Sequence, residues 1–290
     1  MNKLNVQKVE PLIRMAIAED LGTGDVTSEL FVKDSSTAKA HIVSREEIVV
    51  CGTEVASEIL RCYDEKLKLK VLAEDGSRVH VGGRIATITG PLCSMLSAER
   101  VVLNFMQRLS GIATTTHEYV RAVRETKAKI YDTRKTTPGW RLLEKYAVRC
   151  GGGYNHRIGL YDGILIKDNH IAQLGRNFYP KLTKIIVEAR KVKGVKFVAV
   201  EVDHVDDQLD HVLKIPGIDI ILLDNMGQWQ LKHAVDMRNA MRGKGKKPLL
   251  EASGNITLKG VSGVAHCGID RIAIGAITHS AAAVDIGLDR

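Results

Sequence analysis

Aromatic side chains are scarce, 4% of 290 residues, so the chain lacks the stacking platforms on which single-stranded nucleic acids are held. Only five cysteines occur, Cys51, Cys62, Cys93, Cys150 and Cys267, an odd set without a C-x-x-C pair. Neither a disulfide framework nor a zinc ribbon is indicated, and a reducing cytosol is the expected location. No window approaches the roughly 18 uninterrupted apolar residues of a membrane span. The opening stretch MNKLNVQKVEPLIRMAIAEDLG sets charges inside its apolar pattern, so neither secretion nor membrane insertion is expected. Also missing are the G-x-S-x-G of a hydrolase nucleophile elbow, the H-E-x-x-H of a zinc protease and a glycine fingerprint at a first strand-to-helix turn.

What is present describes a globular chain able to bury a proper core, with 44% hydrophobic and 26% charged residues. Its length suits one (β/α) barrel of about 250 residues plus an appendage. The net charge of +8 points to an anionic partner, and the placement of the charge decides which kind. Apolar residues at 9, 12, 13, 16 and 17 predict a helix ending at Gly22. Between Ala38 and Leu96, β-rich stretches surround the helical segment GTEVASEILRCYD and read as an α+β module. A long helix is predicted from Ser97 to about Arg124.

After that helix, short apolar strands alternate with amphipathic helices, the rhythm of a parallel sheet. Strands are predicted at 127–134, 162–169, 195–203, 218–225, 247–255 and 269–277, with helices near 139–150, 179–193, 205–214, 228–242 and 257–266. Each strand ends in polar residues: Asp132, Thr133, Arg134 and Lys135; Lys167, Asp168, Asn169 and His170; Glu201 and Asp203; Asp224 and Asn225; Glu251, Ser253, Gly254 and Asn255; Gly275 and Ala276. One such end is ordinary loop punctuation, but six in a barrel share the rim that carries the active site. The small residues of the last two ends leave room for backbone N–H groups to approach a phosphate, although 253–255 also suits a plain tight turn, and Thr257 and Lys259 suit a helix start either way.

From Arg134 to Lys167 the chain holds seven basic residues, Arg134, Lys135, Arg141, Lys145, Arg149, Arg157 and Lys167, against Glu144 and Asp162. A compact multivalent anion is the natural guest, because arginine forks grip carboxylate and phosphate while lysine acts as a point charge. Lys145 and Arg149 are expected on a solvated helix face, and the Gly151-Gly152-Gly153 run is expected to give flexible backbone ahead of His156 and Arg157. Glu201, Asp203 and Asp224 suit Mg²⁺ or sugar hydroxyls. The basic run 242–247 is expected to be a solvated loop at the opposite rim.

The segment DTRKTTPGWRLLEKYAVRCGGGYNHRIGLYDGILIKDNHI at 132–171 closely resembles the signature of the quinolinate phosphoribosyltransferases. The likeness continues through EDLGTGDVTSELF, AERVVLNFMQRLSGIAT, VEVD, ILLDN, EASGNI and IGAITHSAAAVDIGLD. It implies an α/β fold: an N-terminal α/β sandwich domain over 1–113, rejoined by the tail 277–290, and an incomplete, seven-stranded α/β barrel over 114–276. It implies a homodimer or higher oligomer with shared active sites, no nucleic-acid or membrane partner, and Mg²⁺ as cofactor. The implied reaction joins quinolinate to phosphoribosyl pyrophosphate and releases pyrophosphate and CO₂, giving nicotinate mononucleotide on the route to NAD.

Carried onto this sequence, the resemblance assigns Thr133, Arg134, His156, Arg157 and Lys167 to the pyridine dicarboxylate, with Arg100 reaching in from a partner subunit. Lys135 and Lys167 fall to the pyrophosphate, and Glu201 and Asp224 to the ribose hydroxyls and metal. Ser253, Gly254, Asn255, Ile274, Gly275 and Ala276 fall to the 5-phosphate. Rival readings are a relative of the same fold acting on another acid, a non-catalytic phosphometabolite-binding barrel, and an aldolase forming a Schiff base on Lys167.

Overall fold

The computed structural model describes residues 4–33, 35–175, 178–242 and 246–290. Packing divides the chain into two units. Unit 1 takes the residues up to His117, Lys135–Gly153 and Ala276–Arg290, and unit 2 takes Glu118–Arg134 and Tyr154–Gly275.

Unit 1 is built on an antiparallel sheet of β1 (Thr37–Ser44), β3 (Lys68–Val71), β5 (Arg84–Pro91) and β12 (Ile286–Asp289), in the order β12-β1-β5-β3. The tail therefore returns, pairing Ile42 with Leu288. Strands β2 (Ile48–Val49) and β4 (Arg78–Val79) form a separate ribbon. Its helices are α1 (Glu10–Leu21), α2 (Val26–Phe31), α3 (Thr53–Tyr63), most of the 31-residue α4 (Leu92–Ala122), α5 (Arg141–Cys150) and the short α11 (Ala276–His279). In α4, Met95, Ala98, Val102, Phe105, Met106 and Leu109 are buried at helical spacing, each large one contributing about 1.5–3 kcal/mol. Gly52, with φ of 108°, is the N-cap of α3, and the N–H groups at this helix end are satisfied from a distance: Gly52 N and Thr53 N donate to the Asp75 carboxylate, as do Thr53 Oγ1 and Tyr146 Oη.

Residues 135–153, expected with the barrel, sit in unit 1. The reason is local packing: Trp140 stacks on Phe105, Arg108 pairs with the fully buried Glu144, and Tyr146 reaches Asp75.

Unit 2 is a parallel sheet in the order β6-β11-β10-β9-β8-β7, made of β6 (Lys129–Tyr131), β7 (Ile164–Ile166), β8 (Val198–Val202), β9 (Ile220–Asp224), β10 (Leu249–Ser253) and β11 (Arg271–Ala273). All six predicted strands are present. Where the resemblance implies a seventh, the described residues hold a single parallel bridge from Tyr131 to Tyr154, and no ladder joins β7 back to it. Strand β8 is buried throughout, as strands covered on both faces must be. Helices α6 (Asp168–Ala172), α7 (Phe178–Ala189), α8 (Asp210–Leu213), α9 (Gln228–Ala240) and α10 (Leu258–His266) supply the crossovers, α8 following a π-helical turn at Val205–Leu209.

Of the basic run 242–247, residues 243–245 lie outside the described residues. Arg242, Lys246 and Lys247 line a cavity of about 910 Å³ with Ile218, Asp219 and Pro248, at the starts of β9 and β10. Among the described residues no helix is long and apolar enough to cross a membrane.

Candidate active site

Parallel pairing brings the C-terminal strand ends of unit 2 to one edge, with Ser253 opposite Asp224 and Val202 opposite Leu223. Arg134 follows β6 and Lys167 follows β7, with Arg157 in the segment between them. Arg134 is exposed, whereas Arg157 is 8% exposed and donates from Nη1 to Gly163 O at 3.0 Å. Burial, and then the like charge of Arg134, weaken the hold of the Arg157 guanidinium on its proton. Two arginines in this relation favour an anion between them. Lys167 Nζ lies 2.8 Å from Glu201 Oε2 and its side chain is half-exposed, the opposite of the apolar burial that frees a Schiff-base lysine.

The segment carrying His156 and Arg157 is braced from below. Asp132, fully buried at the end of β6, accepts from Asn155 Nδ2 and from His156 N, each at 2.7 Å. Asp162 closes the following loop by accepting from Ile158 N and Gly159 N, which keep its carboxyl ionised against burial, with Lys196 assisting. Arg157 N donates to His156 Nδ1 at 2.8 Å, so Nε2 carries the ring proton and faces Glu251 Oε1 at 3.2 Å. Glu251 is fully buried and also accepts from Arg271 Nε. Burial alone would raise its carboxyl; His156 and Arg271 together hold it below the usual range. The Arg271 guanidinium lies 3.6 Å from the Tyr131 ring centroid, a cation–π contact. Both ring nitrogens of His156 thus face partners inside the unit, while the resemblance assigns His156 to the pyridine dicarboxylate.

On the other side of the edge are the carboxylates and the small residues. Glu201 is 6% exposed, and burial pushes its carboxyl above the ordinary 4.5. Lys167 opposes that shift, while repulsion from Asp224 and Asp203 adds to it. Asp224 Oδ1 accepts from Ser253 Oγ at 2.6 Å. Gly254 has φ of +91°, and Thr257 caps α10 by accepting from Gly260 N, leaving Lys259 exposed. Ile274 N donates to Tyr131 O, which ties the end of β11 to β6 beside the half-buried Gly275.

Not every expected site residue lies in unit 2. Arg100, exposed on α4, Lys135 and Ala276 belong to unit 1, where Thr278 Oγ1 donates to Lys135 O. Two local expectations are overturned. Lys145 is 3% exposed rather than solvated. The glycine run is a packing device rather than a flexible one: a Cβ on Gly151 would sit 2.3 Å from Ala113 O, and one on Gly153 2.7 Å from Thr116 Cγ2.

One cluster of three metal-capable groups occurs among the described residues, Cys51, Asp75 and Cys150, with Sγ atoms 3.5 Å apart. Asp75 already accepts four hydrogen bonds there, and burial pushes the Cys51 thiol up, so the cluster is suited to packing. In the sequence Asp132 and Glu251 read as strand-end polar residues of the rim rather than as braces, and Asp162 and Arg271 carry no site role there. The available signal was Glu251 and Arg271 set inside otherwise apolar strands, where an ionised side chain needs a buried partner.

Comparison with known proteins gives the same picture along the whole chain. The family model "Quinolinate phosphoribosyl transferase, N-terminal domain" matches residues 25–110, and the corresponding C-terminal domain model matches 112–289. The nicotinate-nucleotide pyrophosphorylase (carboxylating) of Mycobacterium leprae is 42% identical over 289 residues, covering 96% of this chain and 95% of the relative. A quinolinate phosphoribosyltransferase (decarboxylating) of Nicotiana tabacum is 37% identical over 290 residues, covering 96% and 81%. The solved nicotinate-nucleotide pyrophosphorylase from Francisella tularensis superposes with a TM-score of 0.89 at 39% identity, over 99% of this chain and 98% of that one. With both domain models matched end to end and identities near 40% across full length, the chain belongs to the quinolinate phosphoribosyl transferase family.

Proposed function

We propose that the chain acts as a nicotinate-nucleotide pyrophosphorylase (carboxylating) of NAD biosynthesis, with its strand-end residues in the following roles. The observation that carries the assignment of roles is the buried Arg157 lying close enough to Arg134 to feel its like charge, an arrangement that a bound dianion would bridge. Thr133, Arg134, Arg157 and Lys167 hold the two carboxylates of quinolinate, and the backbone of 253–255 and 274–275 takes the 5-phosphate. His156 belongs to this group through the main chain of Arg157, whose N–H its Nδ1 accepts. The roles expected for Arg100, Lys135 and Ala276 rest on the family likeness.

Quinolinate and phosphoribosyl pyrophosphate repel each other, so both must be neutralised before the ring nitrogen can reach ribose C1. The nitrogen forms its bond as pyrophosphate leaves with the C–O pair. Positive charge developing on the ribose carbon is stabilised by Glu201 and Asp224. N-ribosylation then makes the ring nitrogen an electron sink, the adjacent carboxylate leaves as CO₂, and a proton takes its place on carbon. Positioning and electrostatics supply the catalysis, without a covalent enzyme intermediate.

Mg²⁺ is part of the proposal. Burial and mutual repulsion among Glu201, Asp224 and Asp203 leave negative charge that a divalent cation relieves, and two carboxylates plus substrate oxygens are the usual holding for Mg²⁺. The ion would neutralise the departing pyrophosphate. A homodimer sharing sites is supported by the exposed Arg100 and by Val26, Leu30 and Phe31 of α2, which are 68%, 80% and 83% exposed. A cytosolic location is supported by the five unbridged cysteines.

The test supplies quinolinate, nicotinate and nicotinamide in turn with phosphoribosyl pyrophosphate and Mg²⁺, following CO₂ and mononucleotide. Turnover of quinolinate alone, with stoichiometric CO₂, is expected; mononucleotide from nicotinate at a comparable rate would overturn it. Arg134→Ala should weaken quinolinate binding by about tenfold or more, the worth of one hydrogen bond to a charged group.

A further inference from the structure

Among the described residues two non-glycine side chains stand on left-handed backbone, Asn225 with φ of +53° and Asn255 with φ of +49°. They follow adjacent strands, β9 and β10, and their amides meet: Asn255 Nδ2 donates to Asn225 Oδ1 at 3.3 Å. At its other end Asn225 Nδ2 donates to Asp224 Oδ2 at 2.8 Å, and Asn225 N donates to Ser253 O at 3.0 Å. A carboxylate only accepts, so the orientation of the Asn225 amide is fixed by chemistry. Ser253 Oγ holds the other oxygen of Asp224, so the carboxylate is gripped on both sides. The clamp is tight as well: a Cβ on Gly254 would sit 2.1 Å from Asn225 Oδ1.

We propose that Asn225 is a positioning residue for the phosphoribosyl donor: its side chain fixes the Asp224 carboxylate relative to the 253–255 backbone. The ribose hydroxyls and the 5-phosphate are thereby held in one register. This rests on the roles proposed above for Asp224 and 253–255. A ligand with a carboxylate-binding diol at one end and a phosphate at the other is then selected by the spacing between the two anchors. The plainer account is that asparagine merely tolerates a left-handed turn. Glycine does that with less strain, yet here one end of the amide holds Asp224 and the other accepts from the Asn255 side chain beside Gly254.

Asn225→Gly separates the two accounts, because it keeps the backbone and deletes the side chain. With Mg²⁺ present, kcat/KM for phosphoribosyl pyrophosphate should fall about tenfold or more, as expected for one lost hydrogen bond to a charged group. The KM for quinolinate should stay within about twofold, since that pocket is untouched. Asn225→Asp tolerates the same backbone but sets a second carboxylate against Asp224, and should lose at least as much. A glycine variant with the wild-type kcat/KM for the donor would overturn the inference. Equal losses for both substrates, or a lowered unfolding temperature in both variants, would make the residue structural and overturn it too. Calorimetric titration with phosphoribosyl pyrophosphate is independent of turnover. If the wild type binds the donor but turns over no quinolinate, the reading of the reaction fails, while the variant-to-wild-type affinity ratio still decides the role of Asn225.

Discussion

The two sides of the strand-end edge in unit 2 are built by opposite means. On one side stand the charged Arg134, Arg157 and Lys167, and the segment carrying His156 and Arg157 is braced by the buried charges of Asp132, Glu251 and Arg271. Around 253–255, the proposed 5-phosphate site, the chain is held by left-handed backbone and by the neutral amides of Asn225 and Asn255. Like charges brought close together repel, as Arg134 does Arg157, so the proposed dianion pocket needs supports of fixed geometry. Neutral backbone carries no such repulsion, and turn geometry suffices.

The contrast between the two sides is tested most directly at Glu251. Glu251→Ala leaves Arg271 buried without its carboxylate partner, and removing one member of a buried ion pair costs about 3–5 kcal/mol. Urea unfolding of the variant should show a loss of that order, with His156 released as well. A loss below about 1 kcal/mol, the worth of an exposed pair, would place the cationic side on the same footing as the phosphate side. On that second side, Gly254→Ala forces a side chain onto left-handed backbone and against Asn225, at about 1–3 kcal/mol of strain. Its functional loss should fall on phosphoribosyl pyrophosphate, with quinolinate affinity kept; calorimetric titration of each substrate checks it.

Much of this was legible in the sequence, for a physical reason: parallel strands that are buried on both faces read as apolar runs, and all six were found. Parallel pairing does bring the polar strand ends to one edge, although Arg100 and Lys135 of the expected basic set fall in unit 1. The supports were illegible. Glu251 and Asp132 look like further strand-end polar residues until Arg271, twenty positions on, is seen paired with one and the His156 backbone hanging on the other. The glycine run misled because close approach and flexibility leave the same mark in a sequence, and only Ala113 and Thr116 beside it tell them apart. Lys145 misled because helical spacing alone does not say which face is covered.

Glu201 gives the smallest expected change in stability and the sharpest contrast with Glu251. Both carboxyls are buried, but His156 and Arg271 hold Glu251 ionised, whereas burial and the neighbouring Asp224 and Asp203 outweigh Lys167 at Glu201. A folded-state value raised above 4.5 means that the fold favours protonated Glu201. Its contribution to stability is complete below about 4.5 and is lost as pH rises through the raised value. Glutamine copies the protonated form at every pH, so Glu201→Gln should match the wild type near pH 4.5 and equal or exceed it at pH 8, while turnover falls. Urea unfolding at the two pH values decides it: a variant that loses stability relative to the wild type as pH rises would show that Lys167 wins and that Glu201 is a structural partner like Glu251. The expected result makes Glu201 a charge kept at the fold's expense, for which neutralisation by a bound cation or a developing positive ribose carbon is the compensation.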